Sequence, residues 1–180
     1  MDSAYERNTT LSTLQATTTQ LEQSMNIRLI PPEGASFGFA LRGARDTGGV
    51  AAVKGGIRNG ADGGVTTGLC AFSTDDPVVR IILTAMKFDP VIRSAAILQF
   101  SDRALRVFEN DLFLECAPLD ATSKNPGIST MDWGIATCCK AGIPDVIFRK
   151  GTGAKESRII LFGEGPTDVA NNIIICSNRI

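Results

Sequence analysis

The chain has 180 residues, 43% hydrophobic and 21% charged, enough length and apolar content to bury one sizeable core. Eighteen basic residues stand against nineteen acidic ones, so no bulk field draws the chain toward nucleic acid or a membrane surface, and neither is expected as a direct partner. Histidine is absent, which excludes Ser-His and Cys-His nucleophile pairs and histidine-built metal centres.

Residues 1–8 carry no periodic signal and are expected to be disordered. Leu11, Leu14, Leu21 and Met25 recur at helical spacing and predict an amphipathic helix over 9–25, against the poor helix propensity of its threonines. "IRLIPPEG" stops it with Pro31, Pro32 and Gly34. "SFGFALRG" (36–43) and "GVAAVKGGIR" (49–58) read as strands, "NGADGG" (59–64) as a turn, and "VTTGLCAF" (65–72) as the returning strand. "STDDPVVRIILTAMKF" opens a helix with Asp76 as cap, Pro77 at the first position and Val78, Ile81, Ile82, Ala85 and Met86 on one face. "DPVIRSAAI" repeats the device, with Asp89 as cap and Pro90 at a first helical position, and "ILQF" reads as strand beyond it.

A short helix is expected over "SDRALRVFEN" and a strand over "LFLECAPL". "STMDWGIATCCKAG" predicts a helix with Ser129 as N-cap and Asp132 in the capping-box place. "PDVIFRK" and "SRIILFG" read as strands joined by "GTGAKE", and "GPTDVANNIIIC" closes with a helix. Hairpins interleaved with helices predict a single α/β domain over 1–180 with a mixed, largely antiparallel sheet.

The start of the chain lacks a basic stretch followed by an apolar run, and no apolar run approaches the roughly 20 residues of a bilayer span. Five cysteines with no C-x-x-C pair predict neither a disulfide framework nor a zinc knuckle, and fit reduced thiols in the cytoplasm. No cofactor and no metal are expected.

Two glycine-bearing segments are candidates for phosphate binding. "AVKGGIRNGADGGVTTG" (52–68) matches neither a P-loop nor a dinucleotide fingerprint, and the plainer reading is a hairpin that needs left-handed residues. "RKGTGAKESR" (149–158) offers Gly151 and Gly153 for close backbone approach and Lys155 as a point charge, with Arg149, Lys150 and Arg158 adding positive potential. A solvated hairpin tip reads the same way, and both readings stay open.

"VRIILTAMKFDPVIRSAA", "GISTMDWGIA" and "IPDVIFRKGTGAKESRIILFG", in that order, resemble the archaeal thiamine-phosphate synthase domain of the ThiN type. That family carries "AxxFDPxIRAA", "S-x-x-WG" and "PDVIYDxGxxGKEP" at similar spacing, and "FALRGAR" and "VAAVKGGI" resemble its earlier segments. The resemblance spans roughly residues 10–180. It implies a three-layer α/β/α fold similar to class II aldolases without their metal site. The activity it implies joins a pyrimidine diphosphate to a thiazole phosphate, giving thiamine phosphate and pyrophosphate.

Carried over position by position, the family's catalytic arginine falls on Gly56 and its histidine on Pro77. Proline offers no side-chain donor and no backbone N–H. Asp75 and Asp76 add negative charge where a diphosphate needs positive, and two like charges about 4 Å apart repel by roughly 4 kcal/mol at an intermediate dielectric. Lys54 or Arg58 would be the substitutes for the lost arginine. Lys155, Glu156, Asp145, Ser129, Trp133, Gly134, Asp89 and Arg93 keep family positions. Trp133, Asp89 and Arg93 are each explained more plainly by packing, capping and pairing.

The resemblance therefore implies a catalytically impaired domain that binds thiamine phosphate as a sensor or ligand-binding module, with Gly151, Gly153, Lys155, Glu156, Asp145 and Ser129 as ligand-site candidates. An active synthase and a non-binding relic are the alternatives. A homodimer is implied by the family. A sensor would act through a separate DNA-binding protein, the 180 residues leaving no room for a helix-turn-helix.

Overall fold

Five strands bury apolar residues on both of their faces, and that pattern sets the architecture. The computed structural model describes residues 3–119, 135, 136, 138, 139 and 142–180. Strands β1 (Ser36–Ala40), β2 (Val50–Val53), β5 (Cys70–Phe72), β6 (Ser94–Gln99), β7 (Cys116–Pro118), β8 (Val146–Arg149) and β9 (Arg158–Gly163) form one sheet in the order β5-β2-β1-β6-β9-β8-β7. Every pairing is antiparallel except β7 on β8. β3 (Ile57–Asn59) and β4 (Val65–Thr67) form a separate two-stranded ribbon.

Successive side chains on a strand point to opposite faces. Phe37, Phe39, Ala51, Val53, Ala96, Leu98, Ile159 and Leu161 meet helix α1 (Ser3–Ser24) and the C-terminal helix (Pro166–Ser177) in one core. Their strand neighbours Ala40, Val50, Ala52, Ala95, Ile97, Ile160 and Phe162 meet helix α2 (Pro77–Phe88) in a second core, together with Ile135 and Cys139. Helices therefore cover both sheet faces, the arrangement such two-sided strands require. α2 sits so close that a Cβ on Gly38 would lie 3.0 Å from both Ala51 O and Ile82 Cδ1.

The structure departs from the sequence expectations at several points. α1 begins at Ser3, so 3–8 are helical rather than disordered. Four of its threonines, Thr13, Thr17, Thr18 and Thr19, satisfy their hydroxyls within the helix by donating to the carbonyl four residues back. Residues 49–58 are two strands, broken at Lys54–Gly56, and 65–72 likewise divides into β4 and β5.

The second capping device opens no helix. Asp89 terminates α2, its N–H donating to Ala85 O, while its carboxylate accepts from Val91 N in a turn that leads straight into β6. The strand expected over 112–119 shrinks to β7, and "SDRALRVFEN" forms the short helix α3 (Asp102–Arg106) followed by a π turn over Val107–Asp111. The helix expected from Ser129 starts outside the described residues, of which Ile135, Ala136, Cys138 and Cys139 are helical. No described helix is long and apolar enough to cross a membrane.

Candidate functional site

The N-terminal end of β1, the C-terminal ends of β2 and β6, the start of β9 and the N-terminus of α2 reach one edge of the sheet. A cleft of about 330 Å³ opens there, lined among others by Glu33, Ser36, Lys54, Gly56, Arg58, Asp75, Asp76, Pro77 and Arg158. Its size is that of a small-molecule site. Gly56 and Pro77, distant in sequence, thus face the same space.

Glycine at 56 is demanded by the fold. Its φ is +77°, and a Cβ there would lie 2.8 Å from Ala35 O. The break at Lys54–Gly56 lets β3 turn out of the main sheet while Ile57 and Ala35 exchange backbone hydrogen bonds of 2.8 and 2.7 Å. Gly68 is equally constrained, since a Cβ there would lie 2.0 Å from Lys54 O. The 52–68 stretch is therefore a turn and ribbon built on close backbone approach.

Around that bare corner stand three cations and three carboxylates. Arg58 donates Nε to Gly55 O at 2.7 Å, and no described group accepts from its terminal amino groups. Lys54 is exposed beside it. Arg158 is 9% exposed and heavily bonded: its guanidinium donates to Ala154 O at 2.6 Å, to Ser157 O at 2.7 Å, and to the Glu33 carboxylate through two nitrogens. Asp76 accepts from Val78 N at 2.9 Å and caps α2. Burial pushes its carboxyl above the ordinary value, helped by the charge of Asp75 and opposed by hydrogen bonds from Val78 and Ser36.

The 149–158 segment is a tight hairpin tip whose polar groups are turned on one another. Gly151 N donates to Ser157 Oγ at 3.0 Å, and Ser157 Oγ donates to Gly153 O at 2.9 Å. Thr152 donates to Glu156 Oε2 from its N–H at 3.3 Å and from its hydroxyl at 3.0 Å. The bonds from the Thr152 side chain and backbone hold the Glu156 carboxyl below its ordinary range. Lys155 is exposed at the tip. The loop joins the cleft through Arg158, whose contact with Ala154 O straps the tip down.

Asp145 stands at the opposite end of β8, where its carboxylate accepts from Glu115 N at 2.8 Å and its carbonyl from Phe162 N at 2.9 Å. The structure therefore does not bring Asp145 to the tip that holds Gly151, Gly153, Lys155 and Glu156. Ser129, Trp133 and Gly134 lie outside the described residues. Arg158 is the cleft residue that sequence reasoning undervalued, counting it only as background charge. Its signal was being the first residue of a strand that follows a two-glycine loop. Glu33, in the proline stop after α1, carried no signal at all.

Three comparisons with known proteins bear on this site. The family model described as "Thiamine-phosphate synthase ThiN" matches residues 13–175. The bifunctional thiamine biosynthesis protein ThiDN of Methanocaldococcus jannaschii is 29% identical over 156 residues, covering 85% of this chain and 37% of that protein, so this chain spans little more than a third of its length. The crystal structure of the C-terminal domain of a phosphomethylpyrimidine kinase superposes with a TM-score of 0.85 at 29% identity, covering 95% of this chain and all of the other. L-fuculose-1-phosphate aldolase from Thermus thermophilus is a weak likeness, with a TM-score of 0.53 at 10% identity over 96% and 91% of the two chains, and shows the fold alone.

Proposed function

Since the chain belongs to the ThiN thiamine-phosphate synthase family, we propose that its cleft binds thiamine phosphate without forming it, making the domain a catalytically impaired ligand-binding module with a class II aldolase-like scaffold. The observation that carries this reading is the meeting of Gly56 and Pro77 in one cleft whose cations remain. Departure of pyrophosphate needs donors aimed at the oxygens on which charge develops. Neither Gly56 nor Pro77 supplies a side-chain donor, and the Gly56 backbone resists any larger residue.

A single phosphate asks for less. The terminal amino groups of Arg58, which meet no acceptor among the described residues, offer with Lys54 a charge-assisted anchor for one monoester. Asp75 and Asp76 at the α2 N-terminus oppose a second phosphate there and select against the diphosphate substrate. The phosphate anchor moves with this reading from the 151–156 tip to Arg58 and Lys54, because Gly151 and Thr152 already spend their amides inside the loop. Binding without turnover suits a sensor that acts through a DNA-binding partner protein, and a homodimer is the assembly in which we expect it.

Calorimetric titration of thiamine phosphate, with thiamine and inorganic phosphate as controls, tests the proposal. Saturable, phosphate-dependent heat that Arg58→Ala abolishes supports it, and silence up to millimolar ligand defeats it.

A second reading, an active synthase, is favoured by one observation: Arg58 lines the same space as Gly56, where it would stand in for the missing arginine. Release of pyrophosphate from the pyrimidine diphosphate and thiazole phosphate, lost in Arg58→Ala and Lys54→Ala, would establish it.

A further inference from the structure

The other end of β1 carries a second pocket, in whose lining cations outnumber carboxylates. It has a volume of about 480 Å³ and lies between the first turns of α1, the end of β1 and the turn before β6. Phe39 faces α1 at its base, and the exposed ring of Tyr5 stands at its rim.

Arg93 is fixed in place without being neutralised. Its guanidinium carbon lies 4.7 Å from the Phe39 ring centroid, and its Nε donates to Ala40 O at 3.1 Å. These contacts hold the planar group still while no described acceptor meets its two terminal amino groups. Arg42 also lines the pocket, and its guanidinium has no acceptor among the described residues. Glu6 is the one carboxylate in the lining, and its Oε1 accepts from the Arg42 backbone N–H at 3.1 Å. Burial lowers the Arg93 pKa and the nearby Arg42 charge lowers it further, with Glu6 opposing. Two arginines thus repel across a pocket that holds a single counter-charge.

Thr10 adds an independent observation. It is 3% exposed, it lines the pocket, and its hydroxyl has no hydrogen-bond partner among the described residues. Thr13, Thr17, Thr18 and Thr19 on the same helix all return their hydroxyls to the backbone. A buried hydroxyl left without a partner is a standing cost that an acceptor in the pocket removes.

We propose that this pocket is a binding site for a small organic oxyanion, a carboxylate or a phosphate monoester on a flat apolar body, with its oxygens on Arg93, Arg42 and Thr10 and its body against Phe39. A fixed guanidinium fork matches both head groups, and an aromatic base beside it favours a flat body over a bare ion. The site is independent of the cleft reading. The cleft opens at the Ser36 end of β1, on the α2 face of the sheet, whereas Phe39 faces α1.

The test is magnetic resonance of the isotope-labelled full chain titrated separately with phenyl phosphate, benzoate and inorganic phosphate. Phenyl phosphate or benzoate is expected to move the Thr9, Thr10 and Arg42 amides and the Arg93 side-chain N–H saturably, about fivefold more tightly than inorganic phosphate, and the tighter aryl probe identifies the head group. Arg93→Gln should weaken it by about tenfold, as should Arg42→Gln, whose guanidinium meets no acceptor among the described residues. Thr10→Val should weaken binding while leaving the melting temperature unchanged or higher, which a purely structural hydroxyl does not do. The proposal is overturned by no saturable movement up to about 10 mM probe, by movement confined to Lys54, Arg58 and Arg158, by inorganic phosphate matching the aryl probes, or by unchanged affinity in both arginine variants.

Discussion

The arginines at the two ends of β1 are committed to different degrees. At the Ser36 end, Arg158 is nearly buried, with its guanidinium given to Glu33 and two loop carbonyls, and Arg58 reaches back to Gly55 O. At the Phe39 end, Arg93 is steadied by a ring and one carbonyl and Arg42 by its backbone alone, and the terminal amino groups of neither meet an acceptor among the described residues. Cations and carboxylates are three to three in the cleft lining and two to one in the pocket. Count and location of charge therefore say less than how many donors are already spent, because an arginine committed to carbonyls is structural and an uncommitted one is available to a ligand.

The sharpest way to break that contrast is at the cleft's backbone. Gly56→Arg places the arginine that the resemblance implies where φ is +77° and Ala35 O blocks the Cβ, so urea unfolding should show a loss of about 3 kcal/mol with no synthase activity gained. Recovery of turnover in a stable Gly56→Arg protein would overthrow the claim that the fold excludes the arginine.

Removing a committed arginine comes next. Arg158→Ala leaves Ala154 O, Ser157 O and the Glu33 carboxylate short of donors and should cost about 2 kcal/mol, with Arg158→Lys recovering only part of it. An uncommitted arginine should matter less: Arg93→Gln loses one carbonyl bond and the ring contact, about 1 kcal/mol by the same measurement. Equal losses at the two positions would erase the distinction.

The smallest expected effect is a pH dependence. Burial raises the Asp76 carboxyl above its ordinary 3.8, so the folded chain holds that proton more tightly than the unfolded one. The associated stability is fully present below that value and is lost as pH rises through the raised one. Asp76→Asn keeps a capping side chain and removes the charge; it should lie within about 0.5 kcal/mol of the parent at low pH and gain on it toward neutral pH. A stability profile identical in both proteins would show that the carboxylate is not penalised by burial.

Much of this fold was legible along the chain. Hairpins interleaved with helices announced a mixed, largely antiparallel sheet, and Asp76-Pro77 announced the start of α2, because these signals act through neighbours in sequence. The same local logic misled at Asp89-Pro90, where an identical dipeptide closes a helix instead of opening one. The next segment, Ser94–Gln99, pairs with β1 along one edge and with β9 along the other, and ladder bonding on both edges outweighs a helix start.

The candidate site divides along the same line. Sequence by itself determined that positions 56 and 77 hold glycine and proline, that no histidine is present, and that the chain resembles one family over most of its length. Tertiary structure alone decided that Gly56 and Pro77 share a cleft, that the Gly151 and Thr152 amides are taken up by Ser157 and Glu156, and that Arg42, Arg93 and Thr10 line one pocket. The physical reason is that residue type sets which bonds a side chain can make, whereas the folded surroundings set which of those bonds are already made.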